Sequence, residues 1–385
     1  MVRFCSIFSQ ILQLFSRQDF QRAVQQTKAE RHARGFRSWD QFIAMLFAQL
    51  GRAQSLREIC GGLASCEGRL AHLGAQVAKR STLSYANQHR PHELFKKIYE
   101  QLLDRCQAVA WPKKFRFKNK LASLDSTLIE VCAEVFKWAK YQRTKGAIKL
   151  HFTLDHDGYL PTVMTMTEGN VNDKRVARGW NFAPGTILVF DRGYLSFAWF
   201  QQLTQAGVFF VTRPQEGAVF KVVEELPLPT HRHILANQVI RFTGKRTRDK
   251  YHGLLRRVVV DLGEGQTLEL LSNHMDLGAS TLARIYKDRW QIELFFKALK
   301  QNLRIKTFVG TSPNALYIQI WTALIAILIL KYLQMKARFG WSLSNLVALL
   351  RMNLFVYRDL WTWLNEPFSP PEAIPLPIQT VFNFN

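Results

Sequence analysis

Three carboxylates far apart in the chain, Asp125, Asp191 and Glu293, are of the kind that bind hard divalent cations. Asp125 stands in the middle of a strand-like run, residues 121–129, where an unpaired carboxylate would be costly to bury and something must compensate it. Asp191 closes the apolar run 185–190, and a carboxylate at the carboxyl end of an inner strand lies where α/β sheets commonly bind ligands. Brought together, such oxygen ligands suit Mg²⁺, with Mn²⁺ as a substitute, because these ions keep several waters and accept phosphate oxygens. Two such ions can activate a water or a 3′-hydroxyl and stabilise the leaving oxygen of an in-line displacement at phosphorus. On spacing alone each of the three could also be a capping or surface residue.

Glu293 comes with company. Residues 286–300 lack Gly and Pro and follow Ser280, a suitable N-cap, so they are expected to form one long helix. At about 100° per residue, Tyr286, Arg289, Glu293 and Lys300 fall within an arc of roughly 60°. Ile285, Ile292, Phe295, Phe296, Leu299 and Leu303 border this stripe on one side, Trp290 and Leu294 on the other. A line of charge between apolar borders suggests the wall of a cleft; a solvated face with ordinary i,i+4 ion pairs is the alternative.

Composition narrows the partner. With 52 Lys and Arg against 29 Asp and Glu the net charge is +23, which points to a polyanion, nucleic acid first and an anionic membrane surface second. Cys5, Cys60, Cys66, Cys106 and Cys132 are scattered without ligand spacing, so a reducing compartment without structural zinc is expected. The early apolar residues are broken by Ser6, Ser9, Gln10 and Gln13, unlike a secretory signal. The apolar run 318–330 contains Gln319 and Thr322 and ends at Lys331; it is short for a bilayer and expected to be a buried core helix, with no membrane partner.

The elements that must position the carboxylates follow in order. Residues 1–112 read as all-α, with a capping box at Ser55–Glu58 and further starts at Ser38 and Ser81. This part carries 16 Lys and Arg against 8 Asp and Glu, and Lys79, Arg80, Asn87 and Arg90 offer side chains suited to phosphates and base edges, a soluble basic helix without sequence preference being the alternative. A basic linker rich in aromatics, residues 111–120, looks fit to lie on a phosphate backbone. Residues 113–212 alternate strands and short helices, with a hairpin at Asp155-His-Asp-Gly158. Residues 213–275 are strand-rich, 276–336 carry the glutamate helix and the apolar helix, and 337–385 read as a helical segment and a Pro-rich tail.

Tyr286, Arg289, Glu293 and Lys300 match the Tyr-x2-Arg-x3-Glu-x6-Lys pattern of DDE transposases of the insertion sequence 4 family, which this chain resembles over most of residues 121–333. Asp191-Arg-Gly-Tyr194, Leu124-Asp-Ser-Thr127 and Gly310-Thr-Ser-Pro-Asn-Ala315 resemble elements of the same family. The resemblance implies an α/β fold: a ribonuclease H-like mixed-sheet core with a β-rich insertion, preceded by an all-α DNA-binding domain. It further implies that Asp125, Asp191 and Glu293 are catalytic and bind Mg²⁺, and that Tyr286, Arg289 and Lys300 hold DNA phosphates. The partners would be double-stranded DNA, as transposon ends and target, and a second copy in a homodimer on that DNA, in the cytoplasm at the nucleoid.

One departure stands out. Some relatives use an insertion-domain Trp to hold a flipped base on a hairpin route, and residues 213–289 contain none; Tyr251, a Phe, or Trp290 are the substitutes on offer. A metal-dependent nuclease of the same fold and an inactive domesticated DNA-binding protein are the competing functions, the latter opposed by the presence of all three carboxylates.

Overall fold

In the computed structural model, residues 5–369 are described apart from 32, 67–72, 111–113, 132–135, 137, 140–145, 231–232 and 303–307. The strands are β1 (Leu121–Val131), β2 (Gly146–Asp155), β3 (Leu160–Glu168), β4 (Ile187–Val189), β5 (Phe209–Thr212), β6 (Phe220–Glu225), β7 (Ile234–Phe242), β8 (Leu255–Gly263) and β9 (Gln266–Ser272). Among the described residues they form one sheet in the order β3-β2-β1-β4-β5-β9-β8-β7-β6. β1 to β3 run antiparallel, β4 and β5 run parallel to β1 and to each other, and β9 returns antiparallel to β5. β4 is buried throughout, as its uninterrupted Ile-Leu-Val predicts for a strand covered on both faces. The expected hairpin closes β2 onto β3, with Gly158 at φ +80° supplying the turn.

The helices are α1 (Ile7–Leu12), α2 (Arg17–Thr27), α3 (Ser38–Leu50), α4 (Leu56–Ala64), α5 (Arg80–His89), α6 (Glu93–Ala108), α7 (Asp173–Ala177), α8 (Phe197–Gln205), α9 (Lys245–Arg248), α10 (Ala279–Asp288), α11 (Gln291–Asn302), α12 (Pro313–Lys336), α13 (Leu343–Asn353) and α14 (Leu360–Asn365). Ser55 caps α4 as expected, accepting the Glu58 N–H at 3.2 Å. Ser38, Ser81 and Ser280 instead lie inside first turns, and the N-cap positions fall to Arg37, Lys79 and Gly278. α12 is apolar on every side and largely buried, the core helix anticipated from its composition.

The packing bears on three of the expected segments. The strands of 213–275 are not set apart from the preceding core, because Val211 and Thr212 of β5 pair with Ser272 and Leu271 of β9 and carry the sheet straight on. The boundary expected at 112 does not divide the packing: side chains of α1 to α6 share one apolar cluster with β2, α11, α12, α13 and α14. The linker before β1 is anchored on the sheet, with Phe115 buried, Lys114 paired to Asp288 and Lys120 at 3.1 Å from Asp155, while Lys114, Arg116, Lys118 and Lys120 stay exposed. Trp111, Cys132, Leu303 and the Pro-rich tail beyond 369 lie outside the described residues.

Candidate active site

The stripe expected on one helix is carried by two. Around Arg289 and Trp290 the backbone closes i→i−3 bonds, Arg289 N–H to Tyr286 O at 3.2 Å and Trp290 N–H to Lys287 O at 3.3 Å, before the α-helical pattern resumes in α11. The cause is tertiary: Asp288 turns inward to His156 while its neighbour Arg289 reaches Asp125, and a tight joint lets adjacent residues meet both. Beyond the joint, Ile292, Phe295, Phe296 and Leu299 are buried, with Phe295 and Phe296 against Phe152 of β2 at ring distances of 5.2 and 5.7 Å. Phe152 is the register partner of Asp125, so this packing sets α11 over the strand that carries the first carboxylate.

Sheet register assembles the rest. Ser123 pairs with Val189 across parallel β1 and β4, and Val189 with Val211 across β4 and β5. Two residues further on stand Asp125, still within β1, and Asp191 and Arg213, just past the carboxyl ends of β4 and β5, so three neighbouring strands deliver them to one edge of the sheet. Asp191 caps a 3₁₀ turn, Arg192–Tyr194, its Oδ1 accepting the Gly193 N–H at 2.8 Å. A Cβ on residue 193 would lie 2.9 Å from that oxygen, which is why glycine suits the position.

Arg289 joins the strand to the helix. Its Nη1 lies 3.5 Å from Asp125 Oδ2, its Nη2 donates to Glu293 Oε1 at 2.7 Å, and the guanidinium sits 5.8 Å from the Tyr286 ring centroid. Burial, reinforced by the charges of Asp191 and Glu293, pushes the Asp125 carboxyl up to about 7 against the Ser126 N–H and Arg289. Burial depresses Arg289, but Glu293, Tyr286 and Asp125 outweigh it and hold the guanidinium above its ordinary value. Burial raises the Tyr286 hydroxyl, with Arg289 and Arg213 opposing. Among the described residues no three His, Cys, Asp or Glu side chains come together as a metal-binding group, and the guanidinium stands between Asp125 and Glu293. The donor set still fits a hard divalent ion, since the site offers carboxylate oxygens and already holds one cation between two of them.

Lys300 is half-buried on α11, two turns beyond Glu293, while Trp290 at the joint and Leu294 next to Glu293 are 56% and 45% exposed. The N-terminal candidates divide. Lys79 and Arg80 are exposed at the start of α5. Asn87 is not available to DNA: it is buried, its Oδ1 accepts from Gln41 Nε2 at 2.8 Å, and it faces the helical core. Arg90 is likewise committed, bonded to the Phe36 carbonyl and to Gln41 Oε1 at 3.3 Å. Tyr251, one stand-in for the missing Trp, is buried with its hydroxyl donating to the Leu254 carbonyl at 3.3 Å, whereas Trp290, next to Arg289 in the chain, is exposed. Arg213 escaped notice in the sequence, where only its place just past a short strand could have marked it; Ser123, His156 and Asp288 carried no local signal at all.

Residues 116–329 match the family described as a transposase DDE domain, and residues 5–76 match a domain of unknown function. A protein of Sinorhizobium fredii named as transposase y4zB is 30% identical over 312 residues, covering 79% of this chain and 85% of its own. One of Geobacillus stearothermophilus, named as a transposase for insertion sequence element IS5377, is 27% identical over 269 residues, covering 69% and 70%. The piggyBac transposase in a synaptic complex with hairpin DNA aligns at 12% identity and a TM-score of 0.44 over 94% of this chain and 82% of that one, a likeness too low to carry an argument.

Proposed function

The chain belongs to the DDE transposases, and on that premise we propose that Asp125, Asp191 and Glu293 are the catalytic carboxylates with which it cleaves and joins DNA. It is a DNA transposase of an insertion sequence, an enzyme of metal-dependent DNA cleavage and strand transfer. The observation that carries the site assignment is Arg289 held between Asp125 and Glu293, with Asp191 two residues past Val189, the β4 register partner of Ser123. Divalent ions bound by these carboxylates would polarise the attacking water or 3′-hydroxyl and stabilise the leaving oxygen. Arg289, with its fork of donors, is then placed to engage a phosphate bidentately, and Arg213, Tyr286 and Lys300 are placed to hold the same strand along the two helices.

Finer parts of the proposal rest on separate supports. The strand order β3-β2-β1-β4-β5, with β4 and β5 parallel to β1, supports a ribonuclease H-like core extended by the β6 to β9 insertion. The Tyr286, Arg289, Glu293 and Lys300 spacing supports the insertion sequence 4 group. All-oxygen ligation supports Mg²⁺ as the ion. Exposed Trp290 supports a stacking contact with an unpaired base at the cut end. Homodimerisation on DNA and a cytoplasmic location belong to the same proposal.

The test is single-turnover cleavage of a labelled duplex carrying the DNA that flanks the coding sequence. Asp125→Asn, Asp191→Asn and Glu293→Gln should each abolish Mg²⁺-dependent cutting while DNA affinity stays within a few-fold of wild type. Undiminished cutting by any one of the three removes that residue from the site.

A further inference from the structure

A buried chain of polar side chains runs beneath the site. Ser123 Oγ lies 2.7 Å from His156 Nε2, and His156 Nδ1 lies 2.7 Å from Asp288 Oδ2. The three residues are 0%, 5% and 5% exposed. Tyr159 donates to Asp288 at 3.2 Å, and Lys114 pairs with the other carboxylate oxygen. Burial would raise the Asp288 carboxyl, but His156 and Lys114 outweigh it and hold it below the usual carboxylate range. An ionised Asp288 can only accept, so Nδ1–H donates to it, and Nε2 shares the second hydrogen bond with the Ser123 hydroxyl. The residue types are those of a nucleophilic triad, yet Ser123 has no surface through which a substrate could reach it.

Its geometry indicates a different task. Ser123 precedes Asp125 by two residues on the same face of β1, and Asp288 immediately precedes Arg289. His156 is fixed at both ring nitrogens, and its backbone N–H donates to Leu121 O at 3.0 Å, so the ring is a rigid spacer between β1 and the end of α10. We propose that Ser123, His156 and Asp288 form a positioning relay that locks the joint between α10 and α11 onto β1 and so aims Arg289 at the carboxylates. Strand and joint are thereby tied twice. The outer tie, Arg289 between Asp125 and Glu293, uses the carboxylates assigned to the metal and is exchangeable; the buried tie involves none of them and persists when Arg289 turns to a phosphate. The inference rests on the site assignment made under the proposed function.

A mutant cycle on the full-length chain separates positioning from mere stability. Single-turnover cleavage of the pre-bound flanking-DNA duplex in Mg²⁺ is compared for Asp288→Asn, His156→Gln, Arg289→Ala and the doubles with Arg289→Ala, all well below their melting temperatures. Each relay variant should slow cleavage by about ten- to a hundredfold, the penalty of a misplaced group, with DNA affinity little changed. If the relay acts through Arg289, each double should be no slower than Arg289→Ala alone. Multiplicative losses, or wild-type rates in the folded single variants, overturn the relay. Should Asp288→Asn and His156→Gln fail to fold, Ser123→Ala, which removes a single hydroxyl, enters the same cycle under the same criteria. A wild-type rate for Arg289→Ala also overturns the relay, because the group it aims then plays no part, whereas the carboxylate assignment fails only on undiminished cutting by Asp125→Asn, Asp191→Asn or Glu293→Gln, so the two failures are distinguishable.

Discussion

Arg289 sits where two demands meet: it neutralises Asp125 and Glu293, and it is the side chain best shaped to grip a phosphate. The two roles cannot be filled at once by one guanidinium. Without DNA, therefore, Arg289 should compete with divalent ions for the carboxylates. Arg289→Ala should bind Mn²⁺ roughly tenfold more tightly in the DNA-free protein, a modest share of the Coulomb energy at this separation, and yet cleave more slowly. An Mn²⁺ titration followed by electron paramagnetic resonance reads this directly, and unchanged or weaker binding would show that Arg289 does not compete.

Among the elements, α5 and α12 show how position decides what a polar residue does. Asn87 and Arg80 stand on the same helix, one turned to the core and the other to solvent. Asn87→Ala should therefore lower stability by about 1–3 kcal/mol, the penalty for stranding its buried partner, without weakening DNA binding by the folded protein. Arg80→Ala should leave the melting temperature alone and reduce the slope of log affinity against log salt by about one. Gel shifts over a salt series and thermal melts assign each effect, and the reverse pattern would place DNA on the wrong side of α5.

On α12, Lys331 is a cation inside an apolar helix, its ammonium 5.9 Å from the Tyr159 ring, and burial lowers its pKa to about 8. The folded state then binds fewer protons than the unfolded state between about 8 and 10.5, so this group makes stability rise with pH across that window and weigh against folding below it. Lys331→Met should stabilise the protein at pH 7 by something on the order of 3 kcal/mol, with the gain shrinking as pH climbs from 8 towards 10.5. Urea melts at pH 7 and pH 10 test it; a gain that does not shrink with pH would point to packing rather than charge.

At the scale of the whole molecule, the helices of the first hundred residues share their core with helices from the carboxyl-terminal part. Phe95, Ile98 and Leu102 of α6 are covered in a cluster that includes much of α12. A fragment of residues 1–112 leaves that surface bare and should show no cooperative thermal transition by circular dichroism, whereas the full chain should. A cooperative melt of the fragment would mean that the shared core is dispensable and that the helical region folds as an independent unit after all.

Local information was enough for a good deal of this protein. Charge named a polyanionic partner, the apolar runs located β4 and α12, and the 3-4-7 spacing marked Tyr286, Arg289, Glu293 and Lys300, because side-chain type and helical or strand period are written residue by residue. Tertiary structure decided the rest. The helix joint at Arg289, the burial of Asn87, the continuation of the sheet from β5 into β9, and the chain from Ser123 through His156 to Asp288 all depend on contacts between segments far apart in sequence. His156 looked like an ordinary turn residue and Asp288 like one more charge on a helix. Only when β1, the β2–β3 turn and α10 are brought within hydrogen-bond reach does an unpaired buried carboxylate become too costly to tolerate, and that cost selects the partners that no local pattern could name.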